Sequence, residues 1–353
     1  MAKPKKILRG VGIGFLVLVV LILGVLGWFT LLEYRPDPVE TVETPSGEKT
    51  LSLSDSFRVI TYNTGYSGLD ASEDFFMDGG TQVQPDSKEQ VLNNSKGIQK
   101  ILSDAEGDIY FLQEVDLDSK RSYHMNQKDF YENSLDMDSA FAANFKCDFV
   151  PYPFPPIGKV HSGLLTLTDL NTSSSSRISL PESFSWPLKT CNLKRCMLET
   201  RIPVQGTDAE LVLINFHLEA YDSGEGKIAQ SKMLADKLEE EYLAGNYVIA
   251  GGDFNQTFPG MDTYPLIDTE NWAPGIMEDD ALPEHFSYAV DDSYPTCRLL
   301  NQPYAGSYET SQVYVIDGFI VSDNLDISKI EVINTDFQHT DHQPVKLEVS
   351  FLQ

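Results

Sequence analysis

An apolar run, Val248-Ile249-Ala250, ends in Gly251-Gly252-Asp253-Phe254-Asn255, and close to the C-terminus stands Thr340-Asp341-His342-Gln343-Pro344. A carboxylate and an amide two residues apart, with a second carboxylate beside an imidazole, supply hard oxygen ligands for a divalent cation and a base that can activate water. Metal-assisted cleavage of a phosphoester needs that combination. Other polar residues follow the same rule of position. Asn63 follows Val59-Ile60-Thr61-Tyr62, Glu114 follows Ile109-Tyr110-Phe111-Leu112-Gln113, and His217 follows Leu213-Ile214-Asn215-Phe216. Asp317 follows Val313-Tyr314-Val315-Ile316, and Asp341-His342 precedes the final apolar run. Strand ends of a layered α/β protein gather at one edge, so side chains distant in sequence are expected to meet there.

The elements that must position these residues alternate between short apolar runs and helical patterns. Strands are expected at Phe57 to Tyr62, Ile109 to Leu112, Gly163 to Leu167, Met197 to Pro203, Leu211 to Phe216, Tyr247 to Ala250, Val313 to Val321 and Val345 to Phe351. Helices are expected from Ser87 to Ser103, with Val91, Leu92, Ile98, Ile101 and Leu102 on one face, and from about Lys227 to Ala244. With strands outnumbering helices, two sheets inside and helices outside fit better than a single doubly wound sheet. The low-complexity run Ser173 to Ser176 reads as a surface loop, and no internal repeat is visible.

At the N-terminus Lys3, Lys5, Lys6 and Arg9 precede a stretch from Gly10 to Leu32 without any charge, about 33 Å of helix. An uncleaved signal anchor is expected, with residues 1–9 cytoplasmic, 10–32 spanning the bilayer and the rest exported. A cleaved signal peptide and a buried core helix are the rival readings; no convincing small-x-small cleavage site stands near Trp28-Phe29-Thr30-Leu31. Residues 33–56, with Pro36, Pro38, Pro45 and Gly47, read as a stalk, and the folded domain covers 57–353. The net charge of −27 argues against a broad basic grip on nucleic acid, so a cation would have to bridge this surface to any phosphate. The four cysteines are too few for a disulfide scaffold; Cys191 could pair with Cys196, and Cys147 with Cys297 only if the fold joins them.

Six segments, in order, resemble the motifs of the endonuclease/exonuclease/phosphatase superfamily, with its deoxyribonucleases and neutral sphingomyelinases. They are Ile60-Thr61-Tyr62-Asn63, Leu112-Gln113-Glu114-Val115, Asn215-Phe216-His217-Leu218, Gly252-Asp253-Phe254-Asn255, Ile316-Asp317-Gly318-Phe319 and Asp341-His342-Gln343-Pro344. The resemblance runs from about Arg58 to the C-terminus and implies a four-layer α/β/β/α sandwich of two mixed β-sheets flanked by helices. It implies a metal-dependent phosphodiesterase loaded with Mg2+ or Mn2+, its substrate a phospholipid head group or a nucleic acid. Asn63, Glu114 and Asp341 would surround the metal. His342, oriented by Asp317, would be the base, Asp253 would hold the attacking water, Asn255 would donate to the phosphorus centre, and His217 would contact phosphate or act as an acid. Arg195 resembles a phosphate-binding residue of several members. Arg298 is a second candidate for the same phosphate, by position alone. A catalytically inactive binding module on the same fold is the alternative.

The stretch Phe149 to Gly163 combines Pro151, Pro153, Pro155 and Pro156 with aromatics, which argues for a stiff apolar lip. Tyr152, Phe154 and Lys159 are expected to border the substrate cleft. His124, His161, His285 and His339 lack comparable context and read as structural or solvent-facing.

Overall fold

A computed structural model describes residues 3–222, 224–278 and 280–352. Its principal strands are β1 (Val39–Thr41), β2 (Leu51–Ser52), β3 (Ser56–Asn63), β4 (Ile109–Asp116), β5 (Asp138–Val150), β6 (Gly158–Thr168) and β7 (Ser174–Ser179). They continue with β8 (Cys196–Gln205), β9 (Glu210–His217), β10 (Tyr247–Asp253), β11 (Phe286–Ala289), β12 (Asp317–Ser322), β13 (Leu325–Val332) and β14 (Val345–Phe351). The helices are α1 (Lys3–Leu32), α2 (Lys88–Ala105), α3 (Gln127–Leu135) and α4 (Glu225–Leu243).

Two mixed sheets result. One runs β13-β14-β3-β4-β6-β5; the other runs β1-β7-β8-β9-β10-β12-β11, with β2 beside β8. The reason they face each other is legible in β14, where Val345, Leu347, Val349 and Phe351 are buried and the residues between them are half-buried. These side chains join Val59, Phe111, Leu213, Ile249 and Phe319 in one core between the sheets. The outer face of the first sheet is covered by Ile98 and Leu102 of α2 and Tyr131 of α3. Leu234 and Leu238 of α4 cover the other. The architecture is an α/β/β/α sandwich.

The expected elements are present, most of them extended by a few residues. The expected strand Val313 to Val321 is divided, Val313–Tyr314 pairing with Cys297–Arg298 and β12 starting only at Asp317. The serine run is not a loop: β7 pairs with β8 on one side and β1 on the other, and Ser175 lies buried against Thr200, Oγ to Oγ1 3.3 Å. Ladder bonds to two neighbours outweigh the weak strand preference of serine. Segment 33–56 is not a free stalk either, because β1 and β2 are hydrogen-bonded into the eight-stranded sheet.

Within α1, Leu8 to Leu32 is long and apolar enough to cross a membrane, and none of it is buried in protein. Its C-terminal end is nevertheless fixed to the sandwich. Trp186 donates its indole N–H to Thr30 Oγ1 at 3.0 Å, and Lys194 Nζ donates to Glu33 Oε1 at 2.9 Å in a pair closed to solvent. Burial opposes the Glu33 charge, but the hydrogen bonds from Lys194 and Arg35 outweigh it and hold the carboxyl below its usual range.

Candidate active site

Register brings the candidate residues together. His217, Asp253 and Asp317 stand abreast on β9, β10 and β12, because Asp253 pairs with His217 on one side and Asp317 on the other. Facing them from the other sheet, Asn63 ends β3, and β3 runs parallel to β4, which carries Glu114. Gln113 and Glu114 together oppose the single residue between Gly163 and Leu165. This β-bulge puts Glu114 in the left-handed region at φ 55 and turns its carboxylate into the cleft. Gly252 permits the tight approach of β10 to β9, where a Cβ would lie 1.9 Å from the Phe216 carbonyl oxygen.

The resulting contacts form one network. The Asn63 amide donates to Asp253 Oδ2 at 3.0 Å and Glu114 Oε1 at 3.3 Å, and lies 3.4 Å from His342 Nε2. Its oxygen accepts the Gly65 N–H. His342 Nδ1 meets Asp317 Oδ2 at 2.8 Å, while Nε2 lies 3.6 Å from Asp253 Oδ2 and 3.9 Å from Asp341 Oδ2. His217 Nε2 is 3.4 Å from Asp253 Oδ2. Asn255, also left-handed at φ 52, donates its side-chain amide to the Leu218 carbonyl, and its backbone N–H goes to Asp253 Oδ1 at 2.8 Å.

Electrostatics separates the two imidazoles. Burial disfavours the charged form of His342, but Asp317, Asp253 and Asp341 outweigh it and hold the ring well above its ordinary value. His217 goes the other way, lowered by burial and then by the charges of Arg195, His342 and Arg121. Burial pushes the Asp253 carboxyl up to about 6, reinforced by Asp317 and opposed by His342. Glu114 is raised by burial and by Asp341, with Arg121 acting against them.

Asn63, Glu114, Arg195, His217, Asp253, Asn255, Asp341, His342 and Tyr152 all line a single cavity of about 460 Å³. Asp317 lies behind His342. Arg195 donates Nη1–H to the His217 carbonyl at 3.3 Å, and its Nε, buried, makes no hydrogen bond but faces Glu219 Oε2 at 4.0 Å. Arg298 is elsewhere. Its guanidinium donates to the carbonyls of Asp70, Glu73 and Gln302 at 2.7, 3.0 and 3.3 Å, a structural clamp outside the cavity. Phe154 projects into solvent at 96% exposure, and Lys159 pairs with Asp118; neither lines the cavity.

Sequence reasoning passed over Arg121, which stacks on Tyr66 at 3.8 Å, forms two hydrogen bonds to Asp116 and stands 3.8 Å from Glu114. It also passed over Glu219, two residues beyond His217, whose carboxylate accepts the Ala220 and Tyr221 N–H groups and lies 4.0 Å from Arg195. Cys297 adjoins His342 and Asp341. All four cysteines are free thiols; Cys191 packs near Cys147 and not against Cys196.

The donor set suits a hard divalent cation. Glu114 and Asp341 present carboxylate oxygens to the cavity, and their mutual repulsion raises Glu114. Two clusters, Asp253-Asp317-His342 and Cys297-Asp341-His342, hold their ligand atoms within 4.8 Å of one another. Asp317 Oδ1 is buried without a hydrogen-bond partner. The excess of acids over bases in this enclosed space is a charge that a cation offsets.

Among solved structures, the chain is similar to an endonuclease/exonuclease/phosphatase from Beutenbergia cavernae, with a TM-score of 0.61 and 16% identity over 84% of this chain and 72% of that one. The fold is that of the endonuclease/exonuclease/phosphatase proteins. Truncated TDP2 from Caenorhabditis elegans shares this fold at a TM-score of 0.51 and 15% identity, covering 84% and 97% of the two chains. A functionally unknown conserved protein from Enterococcus faecalis does so at 0.53 and 15%, covering 83% and 99%. No protein-family model matches the sequence, and no curated protein matches it. In the endonuclease/exonuclease/phosphatase fold of this chain, the cleft at the strand ends is where the six sequence motifs converge.

Proposed function

We propose that this chain is a membrane-tethered phosphoester hydrolase dependent on a divalent cation, with α1 as its anchor and the sandwich that follows, β1 and β2 included, as its catalytic domain. The observation that carries the reading is His342, held by Asp317 at 2.8 Å with Nε2 turned toward Asp253 and Asn63, in a cavity that also holds Glu114 and Asp341. The basic residues before Gly10 favour a cytoplasmic N-terminus and an exported domain.

Each side chain has a task in that chemistry. Asp317 keeps the proton on Nδ1, so His342 exchanges its other proton at Nε2, toward water in the cleft. Asp253 accepts a hydrogen bond from that water, and Asn63 fixes the carboxylate that does so. Glu114 and Asp341, with Asn63 beside them, would hold a Mg2+ or Mn2+ ion, which would supply Lewis acidity toward a phosphoryl oxygen and offset the negative charge that keeps His342 protonated. Arg195, a cation in the cavity lining, takes phosphate charge, and uncharged His217 offers a neutral ring beside it. Asn255 is fixed by Leu218 and Asp253 so that its remaining amide hydrogen can stabilise charge developing on phosphorus oxygens.

The test is hydrolysis of bis-p-nitrophenyl phosphate by the full-length chain in lipid nanodiscs. Turnover is expected with Mg2+ or Mn2+, abolished by chelation and reduced at least about 100-fold in Asp253→Ala. No metal-dependent turnover of any phosphoester by the folded chain would overturn the reading and favour a binding module.

A further inference from the structure

The cavity does not end at the polar cluster. Its lining also includes Leu26 and Phe29 of α1, together with the apolar side chains of Phe76, Tyr152 and Leu188. Along the helix axis Leu26 stands about 9 Å and Phe29 about 4.5 Å before Leu32, where the apolar stretch ends. The polar boundary follows at once, in the buried Glu33–Lys194 pair. The cavity therefore meets α1 at a depth where lipid hydrocarbon would surround the helix. Trp186, bonded to Thr30 of α1, is more than half exposed, as are Leu188 and Tyr152 of the cavity lining, and α1 itself exposes Trp28 and Leu31. Large apolar groups exposed at one level beside a spanning helix suit the membrane interface.

We propose that this apolar arm is an acyl-chain site through which a membrane-resident phosphoester lipid reaches the catalytic cluster sideways from the leaflet. The proposal rests on the phosphoesterase reading and deepens it by assigning the substrate class. The lipid phosphate lies among Glu114, Arg195 and His342, while its hydrocarbon passes Phe76, Tyr152 and Leu188 toward Phe29. A volume of about 460 Å³ is in the range of sites that enclose one small ligand or a single chain, but not a nucleic-acid duplex. The strongly negative protein charge points the same way, since a neutral hydrocarbon pays no penalty for entering where a polyanion is repelled.

The experiment compares methyl p-nitrophenyl phosphate with octyl p-nitrophenyl phosphate, below its micellar concentration, using the full-length chain in nanodiscs. Each buried methylene is worth about fourfold, so partial burial of seven should raise kcat/KM at least about 100-fold for the octyl ester. The control is the double variant Tyr152→Asp, Leu188→Asp, whose positions are exposed enough to spare the core. Its octyl-to-methyl ratio, which is independent of the amount of folded enzyme, should fall about tenfold or more. Equal rates on the two esters, or a ratio unchanged in the variant because the gain comes only from partition into the bilayer, would overturn the acyl-chain site while leaving the phosphoesterase standing. No metal-dependent turnover of either ester would overturn both.

Discussion

Replacing Asp317 with Asn isolates the interaction on which the proposed base depends. Asp317 is fully buried, and its Oδ2 lies 2.8 Å from His342 Nδ1, a charge-assisted hydrogen bond. Asn has the same shape, so the perturbation removes charge and leaves volume. A bond of this kind contributes about 1.5–3 kcal/mol, which predicts a loss of about 10- to 150-fold in kcat/KM if it is fully felt in the transition state. The sign of the pH effect follows from the same contact. Asp317 is the largest of the charges that hold the His342 ring above its ordinary value, so the variant ring should lose its proton at lower pH. The acid limb of the rate profile should then move to lower pH while the maximum falls. The assay is kcat/KM on bis-p-nitrophenyl phosphate from pH 5 to 9 at saturating Mg2+, with melting curves to confirm folding. A well-folded variant within about threefold of the parent, with its acid limb in place, would refute the assignment of Asp317 as the group that orients the base.

Arg195 and Arg298 should separate cleanly. Arg298→Ala strands the buried carbonyls of Asp70 and Glu73 and should cost about 2 kcal/mol or more in denaturant unfolding, whereas Arg195→Ala should retain the fold and lose phosphoester turnover. Glu73 is raised to about 7, chiefly by burial and then by nearby Asp70, Asp86 and Asp74, against a hydrogen bond from Gln90. The folded state thus holds its proton more tightly than the unfolded chain, and stability present below about 4.5 is lost as pH rises toward 7. Glu73→Gln should therefore melt higher at pH 8, by an amount on the order of 1–3 kcal/mol, and match the parent near pH 4.5. Mg2+ at 100 times its dissociation constant should stabilise the parent by about 2.7 kcal/mol, an increment that a metal titration of Asp341→Asn by calorimetry should find largely missing.

The candidate site cluster was more legible than the scaffold around it, for physical reasons. Asn63, Glu114, His217 and Asp253 each close an apolar run, and a polar side chain in that place is visible without coordinates. Helix α2 was visible from its apolar face and from Ser87, whose Oγ caps Gln90 N–H at 3.2 Å. Strand β5 was hidden. Its buried positions Ala140, Ala142 and Asn144 are small or polar while Phe141 and Phe145 are only half-buried, so the alternation of burial is not an alternation of hydrophobicity. Arg121 offered no signal at all, because its importance lies in a stack on Tyr66 and a bond to Asp116 that only the fold creates. Arg195 was a candidate by its resemblance to a phosphate-binding residue and Arg298 by position alone, each a cation beside a strand. Only the surroundings of each guanidinium distinguish them: Arg195 lines the cleft, whereas Arg298 clamps loop carbonyls.

The motifs also mix two kinds of residue that sequence cannot separate. Gln113 stands beside Glu114 and Asn215 precedes His217 by two, yet both point between the sheets, where Gln113 Nε2 donates to Asn215 Oδ1 at 2.8 Å. Asn215 in turn donates to the carbonyls of Leu112 and Leu165, so one amide pair ties β9 to the bulged strand and its neighbour. That bridge has a cost to offset. Tyr66, Ser67, Glu114 and Asn255 all hold positive φ around the cleft, a conformation worth about 1–3 kcal/mol of strain for each such residue. Thr64 closes the turn onto the Gln113 carbonyl, and Gln127 donates to the Tyr66 carbonyl at 2.7 Å. Tyr66 and Glu114 are thus fixed through Gln113, Asn215 and Gln127, none of which touches the proposed reacting atoms, while Asn255 is held by Asp253 and Leu218. Glu114 keeps its carboxylate in the cleft because the sheets are stapled directly beneath it.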